Sequence, residues 1–319
     1  MSGRISLDRI AAAADVIDPV FLRSPQFVSE PLSDALGVRT VVKVETVNPI
    51  RCFKGRGADF YLSTLEDAQP RPEIVCASAG NFGQAMAFAA RRRGFALTVY
   101  ASEAANALKV ERMRALGATV VPHGEDFDAA KDEAKRFAAE SGALMVQDSL
   151  EAAITEGTGT IGVELMACPE PLDAVIVPLG NGAMIVGIAR WVKSVSPRTQ
   201  VIAVSAAGAP AMAESWRAAR PIETDRADTI ADGIAVRVPV PEAVADLQGI
   251  VDDAILVSDE AMVAQMRAAH RHLGLVLEPA GAAGLAGVAA VADRLGGQTV
   301  ATVLCGGNLT PEQAARWLG

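Results

Sequence analysis

Lys54 stands in CFKGRGA, between Phe53 and Gly55 and two residues before Arg56, where a helix is expected to begin. A lysine held in an apolar pocket beside a cation is nucleophilic toward carbonyls; taken alone, the same residue also reads as an ordinary surface side chain. SAGNFGQA at 78–85 ends a strand and opens a helix. Ser78 caps it, Gly80 and Gly83 admit a ligand to the backbone, and Asn81 presents an amide. PLGNGAM at 178–184 has the same context. The N–H groups of Gly180, Asn181, Gly182, Ala183 and Met184 would face a phosphate there, although a plain strand-to-helix turn fits the same letters. No GK[ST] follows, which excludes a Walker loop. GTGTIG at 157–162 spells GxGxxG but follows a helical stretch, so it reads as close helix packing or a turn and not as a dinucleotide site. LCGGNLT at 304–310 puts Cys305 at the carboxyl end of a strand, where open α/β sheets bind ligands.

The elements that must position these residues follow from hydrophobic pattern. Apolar, β-branched runs at 39–45, 73–77, 96–101, 118–121, 143–146, 173–178, 200–204, 254–257 and 299–304 read as strands. Helical periods occupy 54–67, 81–93, 103–116, 125–141, 148–167, 182–194, 258–273 and 279–295, and an amphipathic helix opens the chain. The alternation predicts an α/β fold with parallel sheets covered by helices on both faces. The stretch 206–253 is the least regular and is expected to form a covering loop or lid with one or two helices.

The 319 residues allow about two domains, and 50% apolar content supplies their cores. A net charge of −9 argues against a nucleic-acid partner. Arg91, Arg92 and Arg93 read as a solvated C-terminal helix turn. No apolar run reaches a membrane-spanning length, and the first residues lack a signal peptide's apolar block. Four scattered cysteines without CxxC fit reduced thiols and a cytoplasmic location. Three histidines are too few for a multi-histidine zinc site.

In order along the chain, CFKGRGA, SAGNFGQ, GNGAM, EPAGAAGLAG and CGGNLT resemble the motifs of the threonine/serine dehydratase and serine racemase-like group of fold type II pyridoxal-phosphate enzymes, and the likeness runs over nearly the whole chain. The resemblance implies two intertwined domains of tryptophan synthase β-like form: a larger cofactor domain from 1–50 and 148–319, and a smaller one, 51–147, carrying the asparagine loop. It implies pyridoxal 5'-phosphate as cofactor, with Lys54 forming the Schiff base and later moving the substrate Cα proton. Phe53 would pack beside the pyridine ring, Asn81 would bond its phenolic oxygen, and Gly180, Asn181, Gly182, Ala183 and Met184 would hold the phosphate. Cys305 would sit at the ring nitrogen. Ser78, Ala79, Gly80, Asn81 and Phe82 would receive the substrate carboxylate.

A neutral thiol at the ring nitrogen moderates the electron sink, which favours expulsion of a β-hydroxyl over transamination. The reaction implied is elimination of water from threonine or serine, ending in a 2-oxo acid and ammonia. The only partner implied is that small amino acid, and relatives are usually homodimers or homotetramers. The chain departs from the group at several places. Phe82 replaces a histidine, the phosphate loop reads GNGA, and Cys52 replaces a serine. Ser205, Ala209 and Ala211 occupy a divalent-cation position without carboxylates, so no metal is expected. A racemase needs an acid/base where this chain has Ala79, and the synthases' TSGNTG is missing. Racemase, β-replacement synthase and a non-catalytic α/β binding protein are the alternatives.

Overall fold

A computed structural model describes residues 3–105 and 107–319; Met1 and Ser2, at the head of the expected first helix, and Asn106, within the helix expected over 103–116, lie outside the described residues. In chain order the strands are β1 (Gln26–Val28), β2 (Arg39–Val44), β3 (Ile74–Ala77), β4 (Leu97–Ala101), β5 (Thr119–Pro122), β6 (Leu144–Met145), β7 (Ala174–Pro178), β8 (Gln200–Ala206), β9 (Asp253–Val257) and β10 (Thr299–Leu304). One sheet has the order β1-β2-β10-β7-β8-β9 and the other β5-β4-β3-β6. Every pairing is parallel except β1 with β2.

The α/β expectation holds. The nine expected strands all appear, and β1, three residues long, is the one that hydropathy did not reveal. Short helices Glu30–Leu36 and Pro311–Leu318 were also missed, although their starts carry the usual signals. The Ser29 side chain accepts from Leu32 N–H, and Thr310 and Gln313 form a reciprocal capping box. The irregular stretch contains two helices, Ala211–Ala218 and Pro241–Leu247.

Helices Ala152–Met166 and Ala183–Val195 cover one face of the larger sheet, burying Leu165, Ile185 and Ile188 with Val175, Val177 and Ala301. Helix Pro279–Val291 and its neighbour Asp259–Leu273 cover the other, where Leu285 and Val288 join Ile176, Ile202 and Val300. Each such Val, Leu or Ile side chain contributes roughly 1.5–3 kcal/mol by leaving water. The helix after β7 and the helix before β10 therefore lie on opposite faces of adjacent parallel strands. That reversal opens a crevice at their carboxyl ends.

GTGTIG lies inside helix Ala152–Met166, as its helical context predicted. A Cβ on Gly187 would stand 2.3 Å from the Thr155 carbonyl and 2.7 Å from Gly159 N, so these glycines let two helix backbones touch. The arginine run differs from its expectation. Arg93 is only 12% exposed and pairs with Asp59 and Glu66, while Arg92 pairs with Asp18. Asp59 is wholly buried, and this drew Arg93 in to neutralise it. Among the described residues no helix is long and apolar enough to cross a membrane.

Candidate active site

The carboxyl ends of β3, β6, β7 and β10 face one cavity of about 700 Å³, lined among others by Lys54, Asn81, Asp148, Gly182, Glu278 and Cys305. That volume suits a small organic ligand with a partner. Both sheets thus aim their ligand-binding ends at the same space. Two helices, Asn81–Arg93 and Ala183–Val195, begin on it and point their positive dipole ends inward.

Lys54 is the first residue of helix Lys54–Ser63. Its position is fixed from the larger sheet: Phe53 N–H donates to the Cys305 carbonyl (3.0 Å), and Cys52 forms an antiparallel bridge with Gly306. The small Cys52 side chain is fully buried in that junction. Lys54 Nζ lies 4.9 Å from the Phe53 ring centroid and is ion-paired with Asp148 Oδ2. Arg56, the cation two residues on, turns away from the cavity. It is fully buried and bonds Glu45, Glu164 and Thr160.

The loop after β7 is an anion cradle in form. Gly182 is the helix cap at φ +100°, a left-handed conformation that disfavours a side chain, and no side chain caps the helix. The N–H groups of Gly180, Asn181, Gly182, Ala183 and Met184 take no protein acceptor among the described residues. The Ala183 methyl packs into the apolar cluster that also holds Phe82 and Ile154.

At the second helix start, Gly80 is the cap and Ser78 serves it from outside, its Oγ accepting from Gly80 N–H (3.2 Å) and Gly83 N–H (2.9 Å). The hydroxyl oxygen is committed to the backbone. The amides of Ala79, Asn81 and Phe82 remain without a protein acceptor among the described residues. Asn81 is oriented by two neighbours. Its Nδ2 donates to Glu278 Oε1 (2.6 Å), and its Oδ1 accepts from Asn308 Nδ2 (2.8 Å), leaving a second Nδ2 hydrogen for a ligand. Cys305 is buried with its thiol donating to the Ala280 carbonyl (3.5 Å). Burial and then the charge of Glu278 push that thiol up to about 12, so it stays neutral.

All the residues singled out at 53–54, 78–82, 180–184 and 305 line this one cavity. Three partners went unpredicted. Glu278 and Asn308 belong to quoted motifs, but only the fold shows them gripping Asn81. Glu278 also accepts from Asn308 N–H (3.1 Å), and burial, with the Asp232 carboxylate second, pushes it up to about 7 against the pull of Lys109. Asp148 had no motif at all. Lys109 pairs with Asp232 (2.7 Å), tying the helix after β4 to the covering segment. At the expected cation position, buried Ser205 donates to the Leu179 carbonyl (3.3 Å).

The family described as "Pyridoxal-phosphate dependent enzyme" matches residues 17–306. The chain is 33% identical to an L-threonine ammonia-lyase of Thermotoga maritima, covering 96% of this chain and 76% of that protein. It is 30% identical to the chloroplastic biosynthetic threonine dehydratase 2 of Solanum lycopersicum over 93% of its own length, and spans 50% of that relative. The structure of maize serine racemase superimposes with a TM-score of 0.91 at 28% identity, covering 98% of this chain and 96% of that one.

Proposed function

The chain belongs to the pyridoxal-phosphate dependent enzymes, and from that membership we propose that it is an ammonia-lyase, converting a β-hydroxy amino acid such as threonine or serine into a 2-oxo acid and ammonia. The observation that carries the reading is one cavity wall combining an amine, five uncommitted amides at a helix start, a neutral thiol and a second set of free helix-start amides. These fit pyridoxal phosphate group by group: Gly180–Met184 for its phosphate, Lys54 for its aldehyde, Asn81 for its phenolic oxygen and Cys305 for its ring nitrogen. When bound, the cofactor supplies a carbonyl for an amine and an electron-withdrawing ring beside the substrate Cα.

The chain's own residues supply the rest. The amides of Ala79, Asn81 and Phe82, reinforced by the helix dipole, would receive the substrate carboxylate. Lys54 Nζ would serve as the base for the Cα proton. The neutral Cys305 thiol offers the ring nitrogen no carboxylate, so electron withdrawal stays moderate and prompt loss of the β-hydroxyl is favoured over transamination. Ala79 argues against racemisation, because a methyl exchanges no proton. The strands of 51–147 pair only with one another, which supports treating that segment as the smaller domain. Four free cysteines support a reducing cytoplasm as its location.

The test is incubation of the loaded protein with a panel of β-hydroxy amino acids. Equal amounts of 2-oxo acid and ammonia are expected. Inversion at Cα without ammonia would turn the assignment to a racemase.

A further inference from the structure

A buried carboxylate needs both oxygens occupied, and Asp148 has one that is not. Its Oδ2 is paired with Lys54 Nζ. Its Oδ1 is out of solvent contact and has no hydrogen-bond partner among the described residues. An acceptor left in that state is costly, so a donor from a ligand is the natural occupant. Asp148 lies beyond the carboxyl end of β6, which pairs with β3, the strand leading into 78–82. The carboxylate-receiving loop and Asp148 therefore extend from neighbouring strands into the same cavity. An amino acid with its carboxylate on that loop and its Cα at Lys54 has only its side chain left to place.

We infer that Asp148 reads the substrate's side chain: Oδ1 accepts a hydrogen bond from a hydroxyl or ammonium on Cβ, and the carboxylate repels an acidic side chain. Recognition and rejection come from the same group. Of the cations lining the cavity, Arg237 is paired with Asp128 and Lys109 with Asp232, while Lys54 pairs with Asp148 itself and Lys131 lines the same cavity. The inference rests on the substrate pose of the proposed reaction. It makes Asp148 a specificity-determining residue, and it narrows the substrate class to amino acids carrying a hydrogen-bond donor at Cβ.

The experiment measures dissociation constants of L-serine, L-alanine and L-aspartate by rapid-mixing absorbance on the loaded native protein, Asp148→Ala and Asp148→Asn. Native protein is expected to prefer serine over alanine by on the order of tenfold to a hundredfold, the worth of a hydrogen bond to a charged acceptor. In Asp148→Ala that preference falls to within about threefold, and Asp148→Asn admits aspartate at least about tenfold better than native protein does. A serine-to-alanine ratio unchanged in both variants overturns the inference. In the cofactor-free protein, Asp148→Asn should speed labelling of Lys54 by an amine reagent several-fold, because the ion pair is gone; equal rates also count against it. Ratios that shift as stated without any 2-oxo acid sink the reaction class and leave Asp148's role standing. Turnover with invariant ratios does the reverse.

Discussion

Lys54 and Arg56 are two residues apart, and the buried charges around them are arranged on opposite terms. Arg56 and Lys43 meet Glu45 and Glu164 in a cluster with two charges of each sign, further bonded to Ser24 and Thr160. Burial alone would push Glu164 up, but hydrogen bonds and charge from Arg56 and Lys43 outweigh it and hold it down at about 2. On the cavity side, Asp148 keeps an unpartnered oxygen, while Glu278, with both oxygens bonded, is pushed up to about 7 by burial for want of a paired cation of its own among the described residues. A charge cluster whose needs are met inside the protein has no use for a ligand. One whose needs are unmet marks where a ligand goes.

Substitutions at the two residues should separate these roles. Arg56→Ala leaves Glu45 and Glu164 buried without their main partner, and is expected to cost about 3–5 kcal/mol of stability, read as a fall in denaturant midpoint. Lys54→Ala should lower the midpoint less than Arg56→Ala, because Lys54 makes one ion pair at the cavity wall where Arg56 makes several in the interior, while turnover falls by roughly 10³-fold or more with loss of the proposed anchor and base. A Lys54→Ala protein that turns over normally breaks the comparison.

Proton linkage should separate them as well. Glu164 has a depressed folded value, so its contribution is present above its unfolded value and disappears as pH falls toward about 2. That is about 3 kcal/mol, lost below about pH 5. Glu278 is raised, so its contribution is present in acid and lost as pH rises through about 7. Unfolding free energies of the cofactor-free protein should therefore fall in acid in a way that Glu164→Gln abolishes. They should also fall as pH rises from about 5 to about 7, in a way that Glu278→Gln abolishes. A fall over that range that survives in Glu278→Gln would show that this carboxylate is not the titrating group.

Much of the cavity was legible before the fold was known, because its parts sit in glycine-rich turns where backbone geometry and sequence letters are tightly bound. GNGAM points to its anion cradle locally, because a strand end running through glycines into a helix start leaves first-turn amides free, and Gly182 takes the left-handed conformation there. Glu278 and Asp148 were harder to see. Their roles are made by residues distant in sequence, Asn81 and Asn308 in one case and Lys54 in the other, and only the crossing of two sheets brings those together. Arg93 misled for the same reason: its ending of a helix is local, and its buried partner Asp59 is not.

Smaller effects sharpen the account of the cavity. Cys305→Ser should keep cofactor affinity within a few-fold, because both side chains are small and neutral at this buried site. Cys305→Asp should favour a protonated ring and raise transamination, measured as the ratio of aminated cofactor to 2-oxo acid; an unchanged ratio would contradict the placement of Cys305. Smallest of all is the response to a chelator. Ser205 is hydrogen-bonded to Leu179, and Ala209 and Ala211 offer no side-chain oxygen. Dialysis against EDTA at fixed ionic strength should change activity less than about twofold. A large loss restored by Mg²⁺ would show a cation held by other groups.

The central claim is that Lys54, and not one of the chain's other lysines, is where this protein's chemistry is anchored. Borohydride reduction of the pyridoxal-phosphate-loaded protein, followed by peptide mapping, tests it most directly. The account predicts bleaching of the yellow colour and one stoichiometric label, on the peptide containing Lys54, with no label in Lys54→Ala. A label on Lys43, Lys109 or Lys131, or none on a protein that turns over, would contradict it.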